Sequence, residues 1–177
     1  MKILFLCGSS EPDSLNQALL NKAQEMLPDI EPLTVDITDL PFYRKALDGD
    51  NRPANVQALL DAITAADALI IASPEFNHSV PAVLKNALDW ASRPAFASPL
   101  TGKPVTCFSA SPSTAGGNIG LTHLKQVLDT CLCDVYPSIN YCLGGAHEKI
   151  INGELKDSDA LRRMEHHLQG FREWIAA

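Results

Sequence analysis

Residues 3–10, Ile-Leu-Phe-Leu-Cys-Gly-Ser-Ser, hold a run of five apolar residues that ends in a glycine and two serines. Two further short, largely apolar runs occupy residues 68–72 and 105–108. Strands that are buried on both faces have this pattern, and they occur in parallel sheets that helices cover on both sides. The three runs therefore predict the central strands of an α/β protein.

Two weaker segments complete the predicted sheet. Residues 33–37 alternate between apolar and polar side chains, which is typical of an edge strand with one wetter face. A fifth strand is expected between residues 135 and 143, with Pro137 inside it. Strands and helical patterns alternate five times along residues 1–177, so we expect one α/β domain with a doubly wound parallel sheet in the order 2-1-3-4-5 and helices on both faces.

The segments between the strands carry apolar residues at helical spacing. We expect Ser79 to cap the third helix, with Pro81 in its first turn, and Asp157 or Ser158 to cap the last one. In a sheet of the order 2-1-3-4-5, a ligand binds beyond the carboxyl ends of strands 1 and 3. The loops that follow those strands are therefore the places to look for chemistry.

Composition excludes several classes of protein. The net charge of −7 would repel a nucleic acid, and no apolar run approaches the roughly 18 residues that cross a bilayer. The odd number of cysteines, five, favours reduced thiols and a cytoplasmic location. We interpret Cys131 and Cys133 as small buried residues rather than a metal or redox pair. The five histidines show no metal-binding spacing, so no metal site is predicted.

The loop after the first strand, residues 8–16, reads GSSEPDSLN and runs into a predicted helix. A helix N-terminus offers free backbone N–H groups and a positive dipole end, which is what a phosphate needs. The hydroxyls of Ser9, Ser10 and Ser14 and the amide of Asn16 add neutral donors. The alternative interpretation is an ordinary turn with Ser14 as a helix cap. The loop has neither a GxGxxG nor a Walker A motif.

The loop after the third strand continues into a helix, and residues 74–90 read PEFNHSVPAVLKNALDW. Here the sequence resembles the NADPH-dependent FMN reductase family, in which the segment reads PEYNxSxPGxLKNAxDW and the first loop reads roughly GSxRxxSxN. A third shared feature is the Gly116-Gly117 pair, followed by LKQVL at residues 124–128 where the family has LRQVL. The resemblance covers essentially the whole chain.

The resemblance implies a flavodoxin-like fold that holds FMN and an enzyme that takes hydride from NADPH or NADH. The acceptor would be a small molecule such as a quinone, an azo compound or chromate. No side chain is required as a catalytic acid or base, since the flavin carries the chemistry. The family is usually dimeric or tetrameric, with the flavin near a subunit boundary, so a homodimer or homotetramer is expected. By position, the family's phosphate contacts fall on Ser9, Ser14, Leu15 and Asn16, and its ring contacts on Pro74, Glu75, Phe76, Asn77 and Ser111.

One departure from the family pattern affects the cofactor. The family's phosphate-binding arginine is Glu11 here. Losing one charge-assisted hydrogen bond of this kind costs on the order of 1.5–3 kcal/mol, so FMN binding weaker than the family norm is expected. The alternative is a flavodoxin-like binding or regulatory protein whose flavin site has been weakened or lost.

Overall fold

The computed structural model describes residues 1–177. One sheet contains six strands, which are β1 (Lys2–Cys7), β2 (Glu31–Thr34), β3 (Ala68–Ala72), β4 (Pro104–Ala110), β5 (Asp134–Val135) and β6 (Tyr141–Leu143). The helices are α1 (Leu15–Glu25), α2 (Ala54–Ala65), α3 (Ala82–Ala91), α4 (Asn118–Thr130), α5 (Ala146–Lys149) and α6 (Ser158–Ala176). Strands β7 (Ile150–Ile151) and β8 (Glu154–Leu155) form a separate hairpin, and two 3₁₀ turns cover Lys45–Leu47 and Gly49–Asn51.

The predicted strand order is confirmed, because the sheet runs β2-β1-β3-β4-β5 and every pair is parallel. The fifth strand, however, is not continuous. Strand β5 pairs with the start of β4 and β6 pairs with its end, so residues 136–140 lie outside the ladder. Pro137 lies in that gap, and a residue without an N–H group cannot continue a ladder. The fifth strand that was expected between residues 135 and 143 is therefore divided into two short strands.

The edge strand begins and ends earlier than predicted. It covers Glu31–Thr34 rather than residues 33–37. The carboxylate of Asp36 accepts hydrogen bonds from the backbone N–H of Thr38 at 2.8 Å and from its hydroxyl at 2.7 Å. This local turn draws the chain away from β1, and Ile37 is buried in the core instead of continuing the strand.

Apolar side chains cover both faces of the sheet, as expected for a doubly wound fold. On one face Leu69, Val105 and their neighbours join a cluster with α2, α3 and α4. On the other face Ile70, Phe108 and their neighbours join a cluster with α1 and α6. None of the helices combines the length and apolar character needed to span a bilayer.

Of the two predicted helix caps, the one on the last helix is confirmed, and Ser14, whose capping role was the alternative interpretation of the first loop, also caps a helix. Ser14 caps α1, because its hydroxyl accepts hydrogen bonds from the N–H groups of Asn16 and Gln17, and Asp157 caps α6 by accepting from Ala160 N at 2.8 Å. The prediction for Ser79 was wrong. Helix α3 starts at Ala82 with no side-chain cap, and the Ser79 hydroxyl is hydrogen-bonded to His123.

All five cysteines are free thiols. Burial raises the pKa of Cys107 and of Cys133 to about 12, so neither forms a thiolate near neutral pH. Burial also raises the pKa of the half-buried Cys131 thiol. These shifts agree with the interpretation of Cys131 and Cys133 as structural residues.

Asn16 ties α1 to the end of β4. Its side chain is 3% exposed, and its carboxamide makes both hydrogen bonds that the backbone of Ala110 offers. Nδ2 donates to Ala110 O at 3.1 Å, and Oδ1 accepts from Ala110 N at 2.9 Å. A buried backbone group that loses such a partner destabilises the fold.

We predict that Asn16→Leu lowers the free energy of unfolding by about 2–4 kcal/mol, because it leaves two buried backbone groups unpaired. Urea denaturation measures this. Asn21→Leu is the matched control on an exposed position of the same helix, and it should change stability by less than about 0.5 kcal/mol. Equal effects of the two substitutions would contradict the role given to Asn16.

A buried histidine joins α6 to β4. His167 is 9% exposed, and its Nε2 lies 2.6 Å from Thr106 Oγ1. The rings of Phe108 and Tyr136 lie at 5.3 Å and 5.4 Å from the imidazole, both edge-to-face. Burial among these groups lowers the pKa of His167 from 6.5 to about 4, with a smaller contribution from the positive charge of Lys125.

This depressed pKa makes the fold sensitive to acid. Between pH 6.5 and pH 4 the unfolded chain binds a proton that the folded chain does not, so stability is complete above pH 6.5 and falls as the pH drops. We predict a loss on the order of 3 kcal/mol across that window. Urea denaturation at several pH values should show a weaker pH dependence in His167→Gln, and the exposed change His147→Gln should leave it unchanged. A pH dependence that survives in His167→Gln would refute this assignment.

Candidate active site

Three loops meet where β1, β3 and β4 end. The N–H of Gly8, just after β1, donates to Ala72 O at 2.8 Å, and the N–H of Ser73, just after β3, donates to Phe108 O at 2.9 Å. These bonds extend the sheet pairing by one residue on each strand and hold the following loops side by side. The loops therefore meet at the switch point of the strand order, which is where the sequence analysis expects a ligand to bind.

The first loop, residues 8–14, is shaped for close approach. A Cβ atom on Gly8 would lie 2.9 Å from Leu84 Cδ2 and 3.2 Å from Ser73 Oγ, so a larger residue does not fit there. The backbone N–H groups of Ser10, Ser14 and Leu15 donate no hydrogen bond within the protein. The two free donors at the N-terminus of α1, those of Ser14 and Leu15, are suited to binding an anion, and Ser10 adds a third from the loop before it.

The residues predicted to contact the phosphate differ in the hydrogen bonds that their side chains already make within the protein. The Ser9 hydroxyl accepts from Glu11 N at 3.2 Å, and the Ser14 hydroxyl accepts from the first turn of α1, so each keeps its own proton to donate. Leu15 has only its N–H to offer. The carboxamide of Asn16 is buried and bonded to Ala110, so this side chain shapes the loop rather than facing it.

The second loop forms a tight turn. Phe76 N donates to Ser79 O at 3.1 Å, and Ser79 N donates to Phe76 O at 3.0 Å. The two residues between them, Asn77 and His78, have positive φ angles of 50° and 60°, which fits a type I′ turn. The N–H groups of Asn77 and His78 have no partner within the protein, and the side chain of Phe76 is 55% exposed.

Glu75 joins this turn to the start of α4. Its Oε2 accepts a hydrogen bond from Gly120 N at 2.7 Å, and its Oε1 lies 2.9 Å from His78 Nδ1. The Gly120 bond is the main reason that the pKa of Glu75 lies below its ordinary value, and His78 contributes further. The carboxylate thus stays ionised, and both of its oxygens have protein partners. Pro74, directly before it, is half-buried.

The third loop follows β4 and is fixed by the strand next to it. Ser111 N donates to Leu143 O at 3.1 Å, and Ser111 O accepts from Ala146 N at 3.1 Å. The Ser111 hydroxyl accepts from Ser113 N at 3.2 Å and donates to Ser113 Oγ at 3.1 Å. Gly117, with φ of 83°, lies directly before α4 as its N-cap, and a Cβ atom there would collide with the buried hydroxyl of Ser109.

The residue that departs from the family pattern lies at the surface. Glu11 is exposed, and its carboxylate makes no hydrogen bond or ion pair. Nothing in the loop therefore fixes this side chain against the free N–H groups of α1. Asp13, two residues later, is exposed as well. Because the neighbouring donors are uncharged, these carboxylates lower the attraction of the loop for an anion.

Sequence reasoning missed the contacts between helices and loops. His123 binds Ser79 at 3.0 Å, and Gly120 receives the Glu75 carboxylate. The one signal for the second contact was a glycine inside a predicted helix. Asn86, in the family motif, was also unassigned, and its buried carboxamide bonds Tyr43 N at 3.0 Å and Pro41 O at 3.1 Å. No three metal-ligating side chains come together in the chain.

The residues fit a flavin mononucleotide on the geometry alone. Free N–H groups at α1 suit its phosphate, and a rigid turn with two free N–H groups suits the polar edge of a flat ring. Gly8 and Gly117 leave room where the backbone is closest to its neighbours. A dinucleotide fingerprint is absent from the same loop, which favours a mononucleotide.

Comparison with known proteins supports this interpretation. The sequence model of the NADPH-dependent FMN reductase family matches residues 1–148. The chain is 34% identical over 179 residues to an NAD(P)H-dependent FMN reductase of Pseudomonas aeruginosa, covering 99% of this chain and 95% of that protein. It is 33% identical over 184 residues to a quinone reductase of Escherichia coli K12, with 99% and 95% covered.

A solved structure gives the same result. The flavoenzyme NAD(P)H:(acceptor) oxidoreductase FerB from Paracoccus denitrificans superposes with a TM-score of 0.89 at 29% identity, over 99% of this chain and 97% of that one. The flavodoxin-like fold expected from the sequence is therefore confirmed. These matches do not favour the alternative of a flavin-free binding protein. The chain is an oxidoreductase that belongs to the NADPH-dependent FMN reductase family.

Proposed function

We propose that this chain uses FMN, held between its three loops, to pass electrons from NADPH or NADH to a small acceptor such as a quinone, an azo compound or chromate. The observation that carries the proposal is that the loops after β1 and β3 lie side by side and both carry unpaired N–H groups, among them those of Ser10, Ser14, Leu15, Asn77 and His78. FMN supplies the redox chemistry, since its ring accepts hydride and releases two electrons.

The phosphate end of the site is built from the loop after β1. Ser9 and Ser14 each keep a hydroxyl proton to donate, and Leu15 offers a free N–H at the first turn of α1. Asn16 contributes by locking α1 to Ala110. Together these groups place several neutral donors and one helix dipole around a dianion.

The ring end is built from the loop after β3 and from Ser111. Pro74 and Glu75 stiffen the approach to the turn, and the exposed side chain of Phe76 provides an apolar edge. The free N–H groups next to it are placed to stabilise negative charge that develops on a reduced ring. Ser111, fixed by Leu143 and Ala146, closes the third side. The protein then has to leave one ring face open, so that donor and acceptor stack there in turn.

FMN titration of the purified protein tests the cofactor. We expect saturable binding that is weaker than in relatives with arginine in this loop, and we expect Glu11→Arg to lower the Kd by about ten- to a hundredfold, because it adds one charge-assisted hydrogen bond. Glu25→Arg, an exposed change of the same charge on α1 outside the loop, serves as the control. A folded protein that binds no FMN would favour the flavin-free alternative instead.

We also propose that the chain forms a homodimer, or a homotetramer built from such dimers. A groove of about 450 Å³ lies between α3 and α4. Phe96 and Leu132 line it with side chains that are 84% and 42% exposed, and both have left-handed backbone angles, φ 64° and 63°. Bulky residues adopt such angles only where the surroundings require it. The groove also contains His123, which binds the turn of the second loop, so a partner here would lie next to the site.

Sedimentation equilibrium tests the dimer. Phe96→Asp should raise the dimer dissociation constant by at least about a hundredfold. A symmetric interface contains the Phe96 ring of both copies, so the substitution removes two rings, each of which contributes about 1.5–3 kcal/mol when buried. Phe42→Asp changes a similarly exposed ring, 74% against 84%, that lies outside the groove, and it should have no such effect. A wild-type protein that remains monomeric at high concentration would disprove the proposal.

We infer that the protein works in the cytoplasm. Five unpaired thiols fit a compartment that keeps cysteines reduced.

A further inference from the structure

We propose that Glu75 and Ser79 are positioning residues, which fasten the turn at residues 76–79 to the first two turns of α4 and so set where the flavin ring lies. The proposal deepens the function proposed above and rests on it. It assigns to these side chains a contact with α4 in place of a contact with the flavin.

Both carboxylate oxygens of Glu75 already have a partner within the protein. Oε2 accepts from Gly120 N at 2.7 Å and Oε1 meets His78 Nδ1 at 2.9 Å, while the side chain is only 16% exposed. One carboxylate therefore connects the backbone of α4 to a residue of the turn. Hydrogen bonds to an ionised group are the stronger kind, and in a half-buried place they are held firmly.

Gly120 provides an independent sign of the same contact. A Cβ atom on it would lie 2.9 Å from Glu75 Cγ, 3.0 Å from Glu75 Cβ and 3.1 Å from Ser79 O. Glycine inside a helix is unfavourable compared with alanine, so its presence needs a reason. Here the reason is that α4 and the turn approach too closely for any side chain.

Ser79 makes the second attachment. Its hydroxyl lies 3.0 Å from His123 Nδ1, one turn further along α4 than Gly120. The turn between Glu75 and Ser79 contains two consecutive non-glycine residues with left-handed angles, Asn77 and His78. Such a backbone persists only where its surroundings hold it, and the two attachments lie at its two ends.

The consequence concerns the free N–H groups of Asn77 and His78. Their direction follows the turn, and the turn follows α4. Donors that stabilise developing charge work only when they are held in place beforehand, and a displacement of about 1 Å can cost about a hundredfold in rate. Glu75 and Ser79 thus act on the flavin through the backbone between them.

Amide hydrogen exchange on the flavin-free protein tests the attachment without any cofactor. Glu75→Ala should speed exchange at the N–H groups of Gly120, Phe76 and Ser79 by about tenfold or more, because the turn opens locally. Glu75→Gln keeps an acceptor oxygen and should retain most of the protection. Asp129→Asn is the control, since it removes an exposed carboxylate elsewhere on α4. Unchanged exchange in Glu75→Ala would overturn the proposal.

FMN titration and the midpoint potential of the bound flavin test the consequence. Glu75→Ala and Ser79→Ala should each weaken FMN binding by about three- to tenfold, and Glu75→Gln should stay within about threefold of wild type with an unchanged potential. If Glu75→Gln shifts the potential as far as Glu75→Ala does, the carboxylate acts on the flavin by its charge, and the positioning role is wrong.

Gly120→Ala tests the close approach of α4 to the turn without changing the carboxylate of Glu75. Alanine should favour the helix, yet we expect it to weaken FMN binding, because its Cβ displaces the turn. In the double variant, Gly120→Ala should weaken FMN binding by less than it does alone, because Glu75→Ala has already removed the Cγ atom that the new Cβ would meet. Full additivity would contradict a shared contact.

The two proposals can fail separately. If the wild-type protein binds no FMN, the proposed function fails, and hydrogen exchange still decides whether Glu75 fastens the turn. If it binds FMN normally and Glu75→Ala retains both its affinity and its exchange protection, only the positioning role fails.

Discussion

The structure depends on the complete burial of its central strands. Every residue of β3 is at most 1% exposed, because helices cover both of its faces. A polar group inside such a strand would be buried without a partner, which is costly. Polar side chains that face a ligand are therefore found where the strands end, and three strands end next to one another. The location of the active site follows from the apolar character of the sheet.

At that edge the loops are held to one another mainly by side chains that bond to distant backbone. Asn16 holds α1 to Ala110, Glu75 holds the second loop to Gly120, and Asn86 holds the segment after β2 to α3. Their bonds span between 43 and 94 residues of sequence. Side chains with this task leave backbone N–H groups to face the ligand. A cofactor that carries its own chemistry requires from the protein mainly that these N–H groups are held in place.

The sequence was sufficient for the sheet order, because the buried strands and the edge strand differ in periodicity. The strand order in turn determines which loops meet at the candidate site. The sequence was not sufficient for the break in the fifth strand at residues 136–140, where one proline interrupts the ladder. Ser79 shows why such details escape: its position fits a helix cap, but its partner His123 lies 44 residues away. A local sequence pattern indicates which hydrogen bonds a side chain is able to make, and the fold determines which partner it bonds.

The central claim is that this chain passes electrons from a nicotinamide nucleotide through FMN to a small acceptor. Its most direct test is an anaerobic experiment in two steps on the FMN-loaded protein, with free FMN as the reference. We predict that stoichiometric NADPH or NADH bleaches the absorbance of the oxidised flavin much faster than it does for free FMN, and that a benzoquinone then restores it. Bleaching no faster than in free solution would contradict the account, even if FMN binds tightly.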